Sequence, residues 1–250
     1  MNRQKKRCTA VILAAGSGKR MQSATAKQFM LLRDKPLIWY SLQTVEQSEV
    51  IDDCILVTGE ADLSYVQREI VEKYGFRKVA AVIPGGSERC FSVGNAMRYL
   101  AEDRLPVPNR DGYVFIHDGA RPFLTERILR DTYEAVQEYG ACVAAVPSKD
   151  TIKIADGQDF AVSTPDRRRV WNVQTPQVFE TGLITEAYAQ LERRLPELTS
   201  QGIAVTDDAS VVELFTEHRV KLVFGAYENI KITTPEDIST AEGFLAESGS

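Results

Sequence analysis

Apolar residues recur along the first 146 positions in two alternating patterns. Short continuous apolar runs lie at residues 10–14, 55–57, 79–83, 113–116 and 141–146, and they are typical of strands buried on both faces of a parallel sheet. Between them, apolar residues three or four positions apart predict helices at residues 36–45, 63–74, 87–100 and 125–139, with Ser87 and Thr125 as N-caps of the last two. This alternation predicts an α/β fold with a doubly wound, mainly parallel sheet. Ligands of such sheets bind at the carboxyl ends of the strands.

The alternation stops between residues 147 and 179. The sequence T-I-K-I at 151–154, the turn dipeptide D-G at 156–157 and a return through residues 162–163 predict a β-hairpin. Since this segment has few large apolar residues, we expect it to project as an arm, residues 148–178, from a single domain that covers residues 1–250. After the arm we expect helices at 184–195 and from Asp207, strands at 220–224 and 230–233, and a final helix from Thr234.

Composition narrows the choice of partners. The 250 residues carry a net charge of −5, which disfavours a long nucleic acid or an anionic membrane surface as the main partner. No stretch resembles a membrane span of ~20 apolar residues. The four cysteines form no CxxC pair, so we interpret them as buried thiols of a cytoplasmic protein. With two histidines in the chain, mechanisms that need several are improbable.

The most informative stretch is L-A-A-G-S-G-K-R-M at residues 13–21, directly after the first predicted strand. Small residues and glycines let a ligand approach the backbone, and free N–H groups after a strand bind anions. A Walker A loop is excluded, because one residue separates the glycines and Arg20 follows the lysine. A dinucleotide-binding loop is excluded too, because position 21 is Met and the second strand does not end in an acidic residue. The loop instead carries the cations Lys19 and Arg20, and Lys27 follows.

This loop and the A-K-Q-F that follows it at 26–29 resemble the signature of nucleotidyltransferases that join a nucleoside triphosphate to a phosphorylated sugar or polyol. The particular form is similar to the 2-C-methyl-D-erythritol 4-phosphate cytidylyltransferase family of the non-mevalonate isoprenoid pathway, from about residue 9 to residue 245. Six further motifs stand in that family's order: P-G-G-S-E-R at 84–89, H-D-G-A-R-P at 117–122, K-D-T-I-K at 149–153, Q-T-P-Q at 174–177, T-D-D-A-S at 206–210 and N-I-K-I-T at 229–233.

The resemblance implies transfer of CMP from CTP to 2-C-methyl-D-erythritol 4-phosphate, which gives 4-diphosphocytidyl-2-C-methyl-D-erythritol and pyrophosphate. Such an in-line attack on the α-phosphorus needs positioned cations more than a base. The resemblance implies Arg20 and Lys27 as the catalytic cations, whereas Lys19 is equally well a surface charge. By the same resemblance, the nucleotide-binding residues are Ala14, Ala15, Gly16, Ser17, Gly18, Gly85, Gly86, Ser87 and Ser92.

Asp118 follows a predicted strand and is the expected ligand of Mg²⁺, which binds one or two carboxylates together with substrate phosphates. The resemblance implies that the polyol phosphate is bound by Asp118, Arg121, Thr151, Arg167, Thr175 and Lys231. His117 is expected to be a hydrogen-bonded structural neighbour. The pair Asp207-Asp208 is expected to cap the helix that it opens rather than to bind a metal.

The arm supplies two of these substrate contacts. In the resembling enzymes it interlocks with a second subunit, so the resemblance implies a homodimer in which Thr151 and Arg167 reach the neighbour's site. Side chains alternate along a strand, so only one or two of Arg167, Arg168 and Arg169 could face a given site. Alignment to the residues that follow favours Arg167.

Two other functions remain as alternatives. A cytidylyltransferase for ribitol 5-phosphate or a related polyol phosphate would share most of these residues, although such enzymes more usually carry A-G-G where this chain has A-A-G at 14–16. An inactive nucleotide-binding regulator is disfavoured, because the cations and Asp118 are all retained.

Overall fold

The computed structural model describes residues 5–16 and 27–247, so the predictions for Ser17, Gly18, Lys19 and Arg20 lie outside the described residues. Its strands are β1 (Cys8–Ala14), β2 (Leu31–Leu32), β3 (Lys35–Pro36), β4 (Asp53–Thr58), β5 (Val79–Pro84), β6 (Tyr113–Asp118), β7 (Ala141–Pro147), β8 (Ile154–Ala155), β9 (Ala161–Ser163), β10 (Trp171–Glu180) and β11 (Lys221–Phe224). Its α-helices are α1 (Leu37–Gln47), α2 (Leu63–Tyr65), α3 (Arg89–Ala101), α4 (Glu126–Tyr139), α5 (Thr181–Ser200), α6 (Asp208–Phe215) and α7 (Pro235–Glu247).

Seven of these strands form the central sheet in the order β11-β7-β10-β6-β1-β4-β5. All neighbours run parallel except β10, which is antiparallel to both β6 and β7. The predicted α/β fold with a mainly parallel sheet is confirmed. Strand β10 was not predicted, because Gln174, Thr175 and Gln177 interrupt its apolar pattern although all three are buried. It lies partly within the segment 148–178 that the sequence assigned to the arm.

The sheet is covered on both faces. Along β1, Val11 and Leu13 belong to the hydrophobic core that includes residues of α3, α5 and α6. Ala10, Ile12 and Ala14 belong to the core on the other face, with residues of α1 and α4. Successive side chains of a strand point to opposite faces, so the continuous apolar run is the consequence of two-sided burial. In the described part of the chain, no helix combines the length and the apolar character that a membrane crossing needs.

Helix beginnings and periods differ from the predictions in places. Thr125 caps α4, where its hydroxyl accepts a hydrogen bond from the backbone N–H of Ile128, as expected. Ser87 does not cap α3, which begins one residue later with Glu88 as its N-cap. The helix predicted at 63–74 is an α-helix only at its start and continues as a π-helix, Val66–Glu72. Val66 and Ile70 are buried as the α-helical period predicts, and the wider turn adds Val71, five positions after Val66, to the buried residues.

The predicted hairpin is present and projects. Strands β8 and β9 pair in antiparallel fashion, and every residue of both is exposed. The Asp156 carboxylate accepts hydrogen bonds from the backbone N–H groups of Gln158 and Phe160, which closes the turn. The hairpin leads into a 3₁₀ turn, Arg167–Arg169, before β10. Residues 229–233, predicted as a strand, have no regular secondary structure and pass beside the sheet into α7.

Candidate functional site

Loops at the carboxyl ends of β1, β5 and β6 enclose a cavity of about 260 Å³. Its position agrees with the rule that open α/β sheets bind ligands at this edge. The loop after β1, the loop after β5, the end of β6 and the chain before α7 each contribute to its wall. The predicted site residues that line it are Ala15, Gly16, Lys27, Gly86, Ser87, Ser92, Asp118 and Lys231.

Asp118 is the charged centre of the site. Its Oδ1 accepts a hydrogen bond from Nε of Arg89 at 3.1 Å, and its Oδ2 accepts one from Nζ of Lys231 at 2.8 Å. Nε of Arg121 lies 3.9 Å from the same Oδ2. Burial would raise the pKa of the Asp118 carboxyl, but the charges of Arg89 and Lys231 outweigh it and hold the pKa well below its usual range. Asp118 is therefore a carboxylate at neutral pH.

A second cavity of about 330 Å³ adjoins the first. Arg89, Asp118 and Lys231 line both cavities, so they form a shared charged wall. The second cavity also contains Arg121 and Thr175, two of the residues expected to bind the polyol phosphate. Two adjoining spaces with a common set of cations can hold two anions side by side, which is the arrangement that a group transfer between two phosphorylated molecules needs.

Arg89 is a site residue that the sequence analysis missed. Its two terminal nitrogens donate to Oδ1 and Oδ2 of Asp208 at 2.9 and 2.7 Å, in addition to the bond from Nε to Asp118. Its only signal in the sequence was its place in the P-G-G-S-E-R motif, of which the glycines and the serine alone were predicted to be site residues.

The two carboxylates that begin α6 have different roles. Asp207 is the N-cap, with its carboxylate accepting from the backbone N–H of Ser210 at 2.9 Å, as predicted. Capping was the wrong interpretation for Asp208. Its side chain is fully buried, binds Arg89 and accepts a hydrogen bond from the hydroxyl of Tyr188 at 2.6 Å.

His117 lies behind the site and is neutral. Its Nδ1 is 3.0 Å from the hydroxyl of Thr175, and its Nε2 is 3.1 Å from the carbonyl oxygen of Arg121. Burial lowers the pKa of His117 to about 4. The expectation of a hydrogen-bonded structural histidine is confirmed. The Thr175 hydroxyl also accepts from the backbone N–H of Asp118 at 3.1 Å, so Thr175 supports the end of β6.

The glycines after β5 let two loops pack closely. A Cβ atom on Gly85 would collide with Cβ of Ala15 and lie 2.8 Å from the hydroxyl of Ser92. That hydroxyl accepts from the backbone N–H of Gly86 at 3.1 Å and donates to the carbonyl of Glu88 at 3.1 Å. Ser92 thus fixes the shape of the loop that borders the first cavity, while Ala14 is buried as the last residue of β1.

A short 3₁₀ turn, Lys27–Phe29, joins the loop after β1 to the chain before α7. Gln28 donates from its side-chain amide to the carbonyl of Gly16 at 3.1 Å. Nζ of Lys27 donates to the carbonyl of Ile232 at 3.2 Å, one residue beyond Lys231. The ammonium groups of Lys27 and Lys231 are thereby brought to the same cavity from positions that are far apart in the sequence.

The arm residues Thr151 and Arg167 line neither of these two cavities and are exposed. Arg167 donates to the carbonyl of Lys149 at 3.2 Å, whereas Arg168 forms an ion pair with Asp166. Strand alternation was the wrong reason for limiting how many of the three arginines face one site, because they occupy a 3₁₀ turn rather than a strand. The choice of Arg167 rests on alignment to the residues that follow. Their reach into a neighbouring subunit's site stays a prediction.

The residues present suit one type of metal ion. Among the described residues no cluster of three or more His, Cys, Asp or Glu could hold a metal without other ligands. A single buried carboxylate such as Asp118 does fit Mg²⁺, which keeps several waters and takes one or two carboxylates beside substrate phosphates. Asp118 would therefore hold the ion together with a bound triphosphate.

Comparisons with known proteins agree with this geometry. Residues 8–247 match the model of a family described as 2-C-methyl-D-erythritol 4-phosphate cytidylyltransferase. Proteins of that name from Lachnoclostridium phytofermentans and Lachnospira eligens are 45% and 46% identical, over 96% and 95% of this chain and 96% and 98% of their own lengths. The crystal structure of 4-diphosphocytidyl-2C-methyl-D-erythritol synthase from Anaerococcus prevotii is similar with a TM-score of 0.77, at 33% identity, over 97% of this chain and 100% of that one.

Proposed function

The chain belongs to the 2-C-methyl-D-erythritol 4-phosphate cytidylyltransferase family, and from this premise we propose how its residues carry out the reaction. The protein is a cytidylyltransferase that transfers CMP from CTP to 2-C-methyl-D-erythritol 4-phosphate and releases pyrophosphate, and its relatives favour this acceptor over ribitol 5-phosphate. The observation that carries the proposed mechanism is the charged wall of Arg89, Asp118 and Lys231 between two cavities.

We propose that CTP occupies the first cavity and the polyol phosphate the second. Gly86 and Ser87 border the first cavity, and Ser92 holds their loop in shape through its hydrogen bond from the backbone N–H of Gly86. Arg121 and Lys231 supply positive charge on the side of the second cavity, where a substrate phosphate would lie. In this arrangement the attacking oxygen and the α-phosphorus meet at the shared wall.

The reaction joins two polyanions, so positioned positive charge is the main requirement. An oxygen of the acceptor phosphate forms a bond to the α-phosphorus of CTP, and the bond from that phosphorus to the bridging oxygen breaks, with its electron pair leaving on pyrophosphate. Lys27 and Lys231 reduce the repulsion and stabilise the charge on the equatorial oxygens, together with Arg20 by family resemblance. No general base is needed, because the attacking phosphate is already ionised, and neutral His117 is occupied on both nitrogens.

A divalent cation, for which Asp118 is the proposed ligand, completes this account. Mg²⁺ held there would supply positive charge that offsets the negative charge of the triphosphate during attack on the α-phosphorus. Asp118 would hold the ion, and Lys27 and Lys231, which line the same cavity, would bind phosphate oxygens.

The arm is proposed to complete the site of a second subunit. We propose one nucleotidyltransferase domain over residues 1–250, from which the segment 148–178 includes the projecting hairpin. The hairpin exposes Ile154, Phe160 and Val162, and apolar side chains at a projecting tip favour contact with another protein surface. A guanidinium such as that of Arg167 suits a substrate phosphate in the neighbouring site.

The test is a comparison of acceptors. Pyrophosphate release from CTP should require both Mg²⁺ and 2-C-methyl-D-erythritol 4-phosphate, and kcat/KM should be larger for this acceptor than for ribitol 5-phosphate. A larger kcat/KM with ribitol 5-phosphate would contradict the assignment of the acceptor. Full activity in the presence of a chelator would contradict the role of the divalent cation.

A further inference from the structure

A buried chain of contacts connects α5 and α6 to the charged wall of the site. The hydroxyl of Tyr188 donates to Asp208, Asp208 receives both terminal nitrogens of Arg89, and Nε of Arg89 donates to Asp118. Asp208 is fully buried, and Tyr188 is 4% exposed. Neither Asp208 nor Tyr188 lines the two cavities, so neither is placed to touch a substrate there.

Isolated charges are costly to bury, and a buried ion pair is by itself weak evidence for a gain in stability. Asp208 and the hydroxyl of Tyr188 together restrict the planar guanidinium to one orientation, because the carboxylate takes both terminal nitrogens at once. In that orientation only Nε is directed at Asp118. Oδ1 of Asp118 therefore has a single contact from Arg89, and Oδ2 has one from Lys231. Each oxygen keeps further capacity to accept, since a carboxylate oxygen has about two lone-pair sites.

We infer that Asp208 and Tyr188 are positioning residues for the cytidylyl transfer. They prevent Arg89 from donating two hydrogen bonds to Asp118, so that Asp118 stays available to a divalent cation. Asp118 is the only other carboxylate that Arg89 contacts among the described residues. Without the charge of Asp208, the guanidinium would turn its paired nitrogens to Asp118 and compete with the cation for the same oxygens. This inference rests on the proposed role of Asp118 as the ligand of that cation.

Direct binding of Mn²⁺ tests the inference without turnover. The protein is dialysed to equilibrium against Mn²⁺ and CTP, with no acceptor present, and the excess Mn²⁺ on the protein side is measured. Asp208→Asn should weaken this binding by about 10- to 100-fold, the range typical for loss of an outer-shell partner of a metal ligand. Tyr188→Phe should weaken it less. Glu213→Gln, which changes an exposed carboxylate of the same helix, should bind as the wild type does.

A double variant separates positioning from stability. In Arg89→Met/Asp208→Asn both charges are removed together, so no buried charge is left unpaired and no guanidinium remains to occupy Asp118. We expect its Mn²⁺ binding to recover to within a few-fold of the wild type. A merely structural role of Asp208 predicts no such recovery. The inference is overturned if Asp208→Asn binds Mn²⁺ like the wild type, or if the double variant binds as weakly as Asp208→Asn.

The Asp118→Asn variant distinguishes failure of the positioning role of Asp208 from failure of the proposed metal site. If Asp118→Asn loses the Mn²⁺ that the wild type binds and Asp208→Asn does not, only the positioning role is refuted. If Asp118→Asn binds Mn²⁺ as the wild type does, both the proposed metal ligand and the positioning role are refuted. Half-saturating Mg²⁺ in the pyrophosphate assay should rise in Asp208→Asn in parallel with the loss of Mn²⁺ binding.

Discussion

At the scale of single residues, His117 stands immediately before the Asp118 carboxylate and yet takes no part in proton transfer. Its two ring nitrogens have as partners the hydroxyl of Thr175 in β10 and the carbonyl oxygen of Arg121 in the loop after β6. Burial lowers the pKa of His117 to about 4 from an ordinary value of 6.5. The imidazole is therefore neutral over the physiological range. Its role is to fix the backbone on both sides of Asp118 through Thr175 and Arg121.

This burial has a consequence for stability. Between about pH 4 and pH 6.5 the unfolded chain binds a proton at His117 that the folded chain does not bind, so the free energy of unfolding falls as the pH is lowered through this window. We expect His117 to account for a loss of about 2 kcal/mol between pH 7 and pH 5. Denaturant unfolding of the wild type and of His117→Gln at both pH values measures it. An equal loss in the two proteins would show that His117 does not titrate in this way.

Residue types and motif positions predicted most of the cations and Asp118, but not Arg89 and Asp208. Lys27, Asp118 and Lys231 stand in motifs that resemble a known family, and the structure brings all three to one cavity. Arg89 and Asp208 lie 119 residues apart, and their pairing depends on the packing of α3 against α5 and α6. No local pattern indicates such a contact. An acidic residue at the start of a helix predicts a cap, and only the burial of Asp208 shows otherwise.

At the scale of elements, the loops after β1 and β5 form one unit. Their close approach depends on Gly85, since a side chain there would meet Ala15 and Ser92. We expect Gly85→Ala to separate the loops and raise KM for CTP about tenfold, equivalent to ~1.4 kcal/mol, with little change in KM for the acceptor. Steady-state kinetics with each substrate varied in turn measures this effect.

Gly182→Ala is the matched control, because nothing lies within 4 Å of a Cβ atom at that position in α5. It should leave both KM values unchanged. If Gly85→Ala also left KM for CTP unchanged, the two loops would not border the nucleotide.

The arm is the second element with a testable role. If Arg167 serves the neighbour's site, then Arg167→Ala and Arg20→Ala proteins should each be weakly active, but a mixture should form hybrid dimers with one intact site. Random mixing predicts recovery of roughly a quarter of the wild-type activity, as expected for a twofold dimer. The mixture is assayed after subunit exchange. Arg168→Ala, which removes a side chain paired with Asp166, should remain active by itself. No recovery in the mixture would count against a shared site.

Element prediction succeeded where burial is two-sided and failed where polar residues are buried. The runs that became β1, β4, β6 and β7 are apolar because both faces of the sheet are covered there, whereas β5 at the edge of the sheet is only partly buried. Strand β10 lies between β6 and β7 and carries three buried polar residues. Thr175 accepts from the backbone N–H of Asp118, Gln177 donates to Asp207, and Gln174 donates to the carbonyl of Ala226. The strand was therefore missed, because its buried polar residues interrupt the continuous apolar pattern from which a buried strand is predicted.

At the scale of the whole molecule, a net charge of −5 coexists with a site for two polyanions. The described cations that line the cavities come from the 3₁₀ turn at Lys27, the start of α3 at Arg89, the loop after β6 at Arg121 and the chain before α7 at Lys231, and they converge only when the sheet forms. The negative charge of the rest of the protein disfavours the binding of long polyanions, whereas a triphosphate and a polyol phosphate need only the positive charge within the site. Dimerisation and a cytoplasmic location stay predictions.

In the proposed reaction, positioned cations bring the acceptor phosphate directly onto the α-phosphorus of CTP, and no covalent intermediate forms on the protein. The stereochemical course of the reaction at phosphorus tests this mechanism. CTP that carries sulfur at the α-phosphorus in one configuration is converted with 2-C-methyl-D-erythritol 4-phosphate, and the configuration of the product is determined by phosphorus NMR. A single in-line displacement predicts inversion at phosphorus. Retention would require two displacements through a group on the protein and would contradict the account.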